Sequence, residues 1–225
     1  MRLGHLCRRN LRLLDNRSMG SWSLDRSIFC GYIQKKGPKE NISPERENGI
    51  MSETLKVLET RRSCRAFKPE LIEEEKLQAI IKAGTYAATG MGKQSPIIIA
   101  VTNKELRDKL SAMNAKFMGK DESFDPFYGA QELLIVLANK AMPTYLYDGT
   151  LVMGNLMNAA EDLGVASCWI HRAKEEFETP EGKELLKSLG IEGDYEGIGH
   201  LVLGYAAAPA KEAAPRKADY VYYIR

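Results

Sequence analysis

The stretch LLIVLANKAMPTYLYDGTLVMGNLMNAAEDLGVASCWI, Leu133 to Ile170, decides the fold class. It opens on an uninterrupted apolar run, Leu133–Ala138, of strand length. From Tyr145 the pattern changes to helical spacing, with Val152, Leu156, Ala159, Ala160 and Leu163 on one face. Gly164 follows, the residue type that closes a helix in the left-handed conformation. Val165–Ile170 is again a strand. The same alternation continues on both sides. Upstream, Ser52 caps a helix whose apolar face holds Leu55 and Leu58, and Glu73-Glu74-Glu75 makes an acidic first turn ahead of Leu77, Ile80, Ile81 and Gly84. Pro96–Val101 reads as a buried strand. Asn103 then caps a helix with Leu106, Leu110 and Met113 inward and Arg107 on an ordinary solvated face. Downstream, Thr179-Pro180-Glu181 starts a short helix, and Gly197–Tyr205 is a fourth strand. Residues 206–225 form an Ala/Pro/Lys-rich extension ending in Tyr220, Tyr222 and Tyr223. The reading is one α+β domain over residues 51–225.

Composition narrows the classes. Of 225 residues, 44% are apolar and 28% charged, which excludes disorder along the whole length. No apolar run reaches the length of a membrane helix. Four cysteines (Cys7, Cys30, Cys64, Cys168) are too few and too scattered for a disulfide scaffold or a zinc site, and they suit a reducing compartment, the cytoplasm. The net charge of +2 hides an asymmetry, because residues 1–50 carry ten Lys/Arg against five Asp/Glu while the rest is net acidic. This basic extension has no sustained period, and Lys35–Gly49 has the make-up of a solvated linker. It lacks the apolar core of a secretory signal. Three readings stay open: a translated leader or disordered tail ahead of Met51, a mitochondrial targeting segment, or a nucleic-acid-binding arm using Arg8, Arg9, Arg12, Arg17 and Trp22. The expectation is that it adds nothing to fold or chemistry.

Within residues 51–225 only His171 and His200 are histidines, so no HExxH or Cys/His pair supports metal or nucleophilic catalysis. His200 reads as a core or edge side chain. Cys64 and Cys168, far apart in sequence, read as small apolar fillers. Arg61-Arg62-Ser63-Cys64-Arg65 places three guanidinium groups and a hydroxyl where the first helix ends. Such a cluster either forks onto phosphate oxygens or faces water and complements the helix dipole. Gly90-Met91-Gly92-Lys93-Gln94-Ser95 lacks a third glycine and precedes a strand, the reverse of a dinucleotide-binding turn. It remains a helix-to-strand loop that can line a ligand. Lys211, Arg216 and Lys217, interleaved with Pro209 and Pro215, add cations on a stiffened segment.

Taken together, these clusters resemble the nitroreductase family of flavin-dependent oxidoreductases. Arg61 to Phe67 looks like its R-[RH]-S-x-[RK]-x-F opening, and Ala87 to Pro96 sits where members carry a small-residue loop ending in N-x-Q-P. Leu163 to Ile170 resembles its L-G-[LV]-x-[ST]-C-[WP]-I strand, and Gly204-Tyr205 with Pro215-Arg216-Lys217 resembles its closing tail. The resemblance implies a central, mostly antiparallel sheet flanked by helices, with the C-terminal extension swapped in a homodimer. It implies FMN at the dimer interface, reduced by NADH or NADPH, and ping-pong hydride transfer through flavin N5 to a small-molecule acceptor such as a nitroaromatic or quinone. Carried over by position, Arg61, Ser63 and Arg65, with Arg62 beside them, would meet the phosphate, ribityl chain or pyrimidine edge. Gln94 belongs to the loop, where Gly92 replaces the usual Asn. Trp169, Ile170 and His171 would run past the isoalloxazine with backbone N–H groups near N5, and Arg216 and Lys217 would close on the phosphate. No side chain is assigned a catalytic role, since the flavin carries the chemistry. A flavin protein of the same fold that reduces no external acceptor, and a nucleic-acid binder using the basic extension, are the alternatives. The acidic body argues against the second.

Overall fold

An apolar run with no polar interruption belongs in the middle of a sheet covered on both faces. The computed structural model describes residues 52–121 and 123–225, which divide into two units, 52–215 and 216–225. In chain order the first unit holds α1 (Glu53–Thr60), α2 (Glu74–Thr85), a 3-10 turn (Gly90–Gly92), β1 (Pro96–Val101), α3 (Lys104–Phe117) and β2 (Glu132–Asn139). It continues with α4 (Tyr145–Asp162), β3 (Ala166–Ile170), α5 (Ala173–Glu178), α6 (Pro180–Ser188) and β4 (Tyr195–Gly204). β2 is central as its composition requires, and the sheet order is β1-β2-β4-β3 with every pairing antiparallel.

Strand alternation sends Leu133, Ile135 and Leu137 to one face, where α3, α5 and α6 contribute Leu110, Phe177 and Leu186. Leu134 and Val136 face the other way, against Ile80 of α2 and Leu156 of α4. The expected caps form: Ser52 accepts from Leu55 N–H at 3.3 Å, Asn103 from Leu106 N–H at 2.8 Å, and Thr179 from Gly182 N–H at 3.0 Å. The β2–β4 register slips between Val136 and Leu137, so Ile198 is the extra residue of a bulge. Next to it, a Cβ on Gly199 would stand 2.1 Å from the Trp169 indole nitrogen. Only glycine leaves room for that ring.

Three expectations are corrected. Pro96–Val101 is not a buried strand, because β1 is an edge and only Val101 is buried. The apolar face of α1 is not inward. Leu55 and Leu58 are 39% and 53% exposed, since this two-turn helix docks by its end, Thr60 Oγ1 donating to Glu161 of α4 at 3.2 Å. Arg107 is not solvated but 6% exposed. Its Nε donates to Ala130 O at 2.8 Å and its other nitrogens bond Asp108 and Asp125. Helix α5 carried too short a pattern to be anticipated. In the second unit, Lys217 Nζ lies 5.7 Å from the Tyr220 ring centroid and the Arg225 guanidinium 5.1 Å from Tyr223. The readings placed on residues 1–50 lie outside the described residues.

Candidate functional site

After α1 ends at Thr60, the chain runs as a ribbon along the free edge of β3. Ser63 bridges Ser167 in parallel, and Cys64 N–H donates to Ser167 O at 2.9 Å. The ribbon then crosses to the exit of β4, where Lys68 N–H donates to Tyr205 O and Ala207 N–H to Ala66 O, both at 2.8 Å. Phe67 is the buried anchor between these contacts. Phe67 is buried while Ser63 and Arg65 are exposed, so the polar groups of the motif are presented on a braced backbone.

The two readings of the arginine cluster divide between neighbouring residues. Arg62 Nη1 donates to Glu59 O at 2.7 Å and to Arg61 O at 2.8 Å, the helix-end role. Arg61 Nη1 is buried with no hydrogen-bond partner among the described residues. A guanidinium is donor-only, so this nitrogen calls for an acceptor that the described residues do not supply. Beside it, burial pushes the Cys168 thiol up, against the charges of Arg65 and Arg61 and the Ser63 hydroxyl. Cys168 is buried, and Cys64 is its neighbour in space despite their distance in sequence. A cavity of about 640 Å³ opens here, with Arg62, Ser63, Arg65, Glu161 and Lys211 in its wall. That is ample for a small-molecule ligand.

Trp169, Ile170 and His171 continue from Cys168 off the end of β3. The Trp169 and His171 rings stack with centroids 5.7 Å apart, and Trp169 Nε1 is buried without a hydrogen-bond partner among the described residues. Gly92 and Gln94 sit elsewhere, in the loop that enters β1, and β1 and β3 are opposite edges of the sheet. Gly92 has φ +65° and Gln94 φ +51°, the left-handed region. Asparagine and glycine both tolerate that region, which gives the exchange at position 92 a conformational basis. Arg216 and Lys217 lie in the second unit.

Sequence reasoning missed Asp148. It is 2% exposed and pins the loop, accepting from Gly90 N–H at 2.9 Å, Ser95 Oγ at 2.8 Å and Thr144 Oγ1 at 3.1 Å. Burial pushes its carboxyl up, but these donors outweigh it and hold the group below its ordinary range. The available signal was a lone charge in the apolar first half of a helix. Among the described residues, no group of His, Cys, Asp or Glu could hold a metal ion, and no helix is long and apolar enough to cross a membrane.

The arrangement therefore offers unspent cationic donors beside a ring-lined strand end, which suits an anionic, planar ligand. Comparison with known proteins agrees in kind. A family model described as "Nitroreductase family" matches residues 58–205. A nitroreductase with bound FMN from Bacteroides fragilis is 30% identical, with TM-score 0.70, covering 78% of this chain and 100% of that one. One from Desulfitobacterium hafniense, also with bound FMN, gives the same figures of 30%, 0.70, 78% and 100%. The FMN reductase (NADPH) of Bacillus subtilis is 27% identical over 143 residues, 57% of each chain.

Proposed function

Because the chain belongs to the nitroreductase family, we propose that it is an FMN-dependent oxidoreductase that takes hydride from NADH or NADPH and passes it, in ping-pong order, to an electron-poor acceptor such as a nitroaromatic or quinone. The observation that carries this is Arg61 Nη1, buried and unpartnered on a ribbon braced against β3. Bound FMN would supply the hydride chemistry itself. The chain's part is to bind and orient. Arg61, Ser63 and Arg65 donate to the phosphate, the ribityl chain or the electron-rich pyrimidine edge, and fixed cations there stabilise negative charge with no reorganisation at the moment of transfer. Trp169, Ile170 and His171 cover one side of the ring and keep water from it. Arg62 braces the ribbon through α1, and Arg216 and Lys217 add cations by family resemblance.

A homodimer is part of the same proposal. The loop with Gly92 and Gln94 and the ribbon with Arg61 leave from opposite sheet edges, so two copies are needed to bring both kinds of element to one ligand. Leu55 and Leu58 of α1 and Tyr147 and Leu151 of α4 are exposed apolar side chains, the sort of surface a partner covers. The C-terminal extension is the segment we propose crosses to the partner. Two neighbouring free thiols, Cys64 and Cys168, support a reducing compartment, the cytoplasm.

The test is the absorption spectrum of the purified full chain, followed by anaerobic addition of NADH or NADPH and then of a nitroaromatic. Flavin bands that bleach and recover with turnover are expected. A colourless protein that takes up no FMN overturns the proposal, and bleaching without recovery assigns a flavin protein that reduces no external acceptor.

A further inference from the structure

Directly beneath the end of β3 lies a buried polar chain that the reading above does not use. Glu176 of α5 and His200 of β4 are both 0% exposed, with His200 Nε2 2.8 Å from Glu176 Oε2. The other carboxylate oxygen accepts from Asn114 Nδ2 of α3 at 2.5 Å, and Asn114 is itself 0% exposed. The same Asn114 nitrogen donates its second hydrogen to the backbone carbonyl of His171 at 2.8 Å. The tilted Phe127 ring closes over His200 at 5.4 Å.

An ionisable pair with no access to water is poor evidence of a stability gain, because apolar residues of similar volume commonly do as well or better. Its reach is more telling than its energy. The chain runs from the sheet through α5 and α3 and ends on one peptide group, His171–Arg172. Arg172 has φ +82°, a left-handed conformation that a residue with a Cβ adopts only when its surroundings hold it there. In a trans peptide, C=O and N–H point in opposite directions. With the His171 carbonyl drawn inward to Asn114, the Arg172 N–H must point away from the core. His171 itself is exposed.

We propose that Asn114, Glu176 and His200 are positioning residues for the ligand-facing backbone at the end of β3. Asn114 clamps the His171 carbonyl, Glu176 orients Asn114, and His200 orients Glu176. The clamp holds Arg172 in its left-handed turn and aims its N–H outward, as a fixed donor for an acceptor atom of the flavin ring. This rests on the FMN reading. It adds three residues from α3, α5 and β4, none of which touches the ligand.

The experiment compares Asn114→Ala, Arg172→Gly and the double variant with the full wild-type chain. Three readouts are taken: hydrogen exchange of the segment 168–176 without ligand, FMN dissociation constant with the absorption maximum of bound FMN, and kcat against KM for NADPH. Losing one neutral backbone hydrogen bond corresponds to about a two- to tenfold change. Asn114→Ala is expected to speed exchange in 168–176 but not in β2, to shift the flavin band, and to weaken FMN or lower kcat by that factor while KM for NADPH holds. Glycine adopts the left-handed turn without strain. Adding Asn114→Ala to Arg172→Gly should therefore cost less than adding it to wild type, which a merely structural role for Asn114 would not produce. If Asn114→Ala lowers the melting temperature yet leaves the flavin band, FMN affinity and kcat at wild-type values, the proposal is wrong. Should Asn114→Ala fail to fold, His200→Gln repeats the comparison one step further from the turn, with the same outcomes deciding. A wild-type chain that binds no FMN overturns the FMN reading, and the exchange readout alone then decides whether Asn114 holds the turn.

Discussion

Arg61 and Arg107 are both largely withdrawn from water, and they have opposite fates. Arg107 of α3 spends its donors inside the chain, on Ala130 O, Asp108 and Asp125. Asp125 answers in full: burial pushes its carboxyl up, but Arg107, Ser111 and the N–H groups of Gly129 and Phe127 hold it below its ordinary range. Arg61 has a buried nitrogen that nothing answers. What separates the two arginines is the count of donors left over, and neither residue type nor burial reveals it.

The comparison breaks most readily at Arg107. Arg107→Ala should lower stability by about 3 kcal/mol in urea unfolding, because it leaves Asp125 and Ala130 O short of a donor in a largely buried site. FMN affinity per folded molecule should stay unchanged, and a large affinity loss would erase the distinction. Arg61→Ala should do the reverse. With a charge-assisted donor removed, FMN affinity falls about ten- to hundredfold while the melting temperature of the ligand-free chain holds, as isothermal titration and calorimetry would show. A drop in melting temperature comparable to that of Arg107→Ala would make Arg61 structural too. Arg65→Ala should follow Arg61→Ala.

A smaller effect tests satisfaction without burial. Glu73, at the start of α2, accepts from the Tyr205 hydroxyl and pairs with Lys76 Nζ at 3.1 Å. The Tyr205 hydrogen bond first, then its own backbone and Lys76, bring its carboxyl down from 4.5 to about 2. A depressed folded value means its contribution is present above pH 4.5 and is lost as pH falls towards 2. Glu73→Gln should therefore lower the melting temperature above pH 4.5, by a small amount because the group is solvent-exposed, with the difference from wild type closing as pH falls towards 2 and the acid limb flattened accordingly. An unchanged acid limb would mean the pairing has no thermodynamic content. Smallest of all, Gly92→Asn should alter stability by less than about 1 kcal/mol, because a Cβ there meets nothing within 4 Å and asparagine tolerates the left-handed turn. A loss of folding measured by chemical denaturation would show that glycine is required there.

Elements were legible wherever local patterning sets the outcome. The apolar runs at Leu133–Ala138 and Val165–Ile170, and the caps Ser52, Asn103 and Thr179, announce strands and helix starts because those signals act over a few residues. The arginine motif was legible as a cluster, yet the different hydrogen bonding of Arg61 and Arg62 was not, since it depends on which carbonyls lie within reach of each fork. Leu55 and Leu58 show the limit of periodicity. It specifies which face is apolar and says nothing about whether the same chain covers it. Asn114, Glu176 and His200 come from three elements and carry no shared pattern. Only the sheet order and the docking of α5 bring them together.

The ribbon at residues 61–68 has a consequence for how the molecule is made. Its braces come from far along the chain: Cys64 N–H donates to Ser167 O, Lys68 N–H to Tyr205 O, and Ala66 accepts from the N–H of Ala207. The motif leaves the ribosome early; Tyr128 O then accepts from Phe67 N–H at 3.2 Å, and the remaining backbone braces wait for β3 and the exit of β4. Closing such long loops is the slow part of folding. A nascent chain halted before β4 therefore carries the whole motif without the braces that Tyr205 and Ala207 supply. The ribbon reaches its final backbone pairing only when the last strand has been synthesised and has joined the sheet.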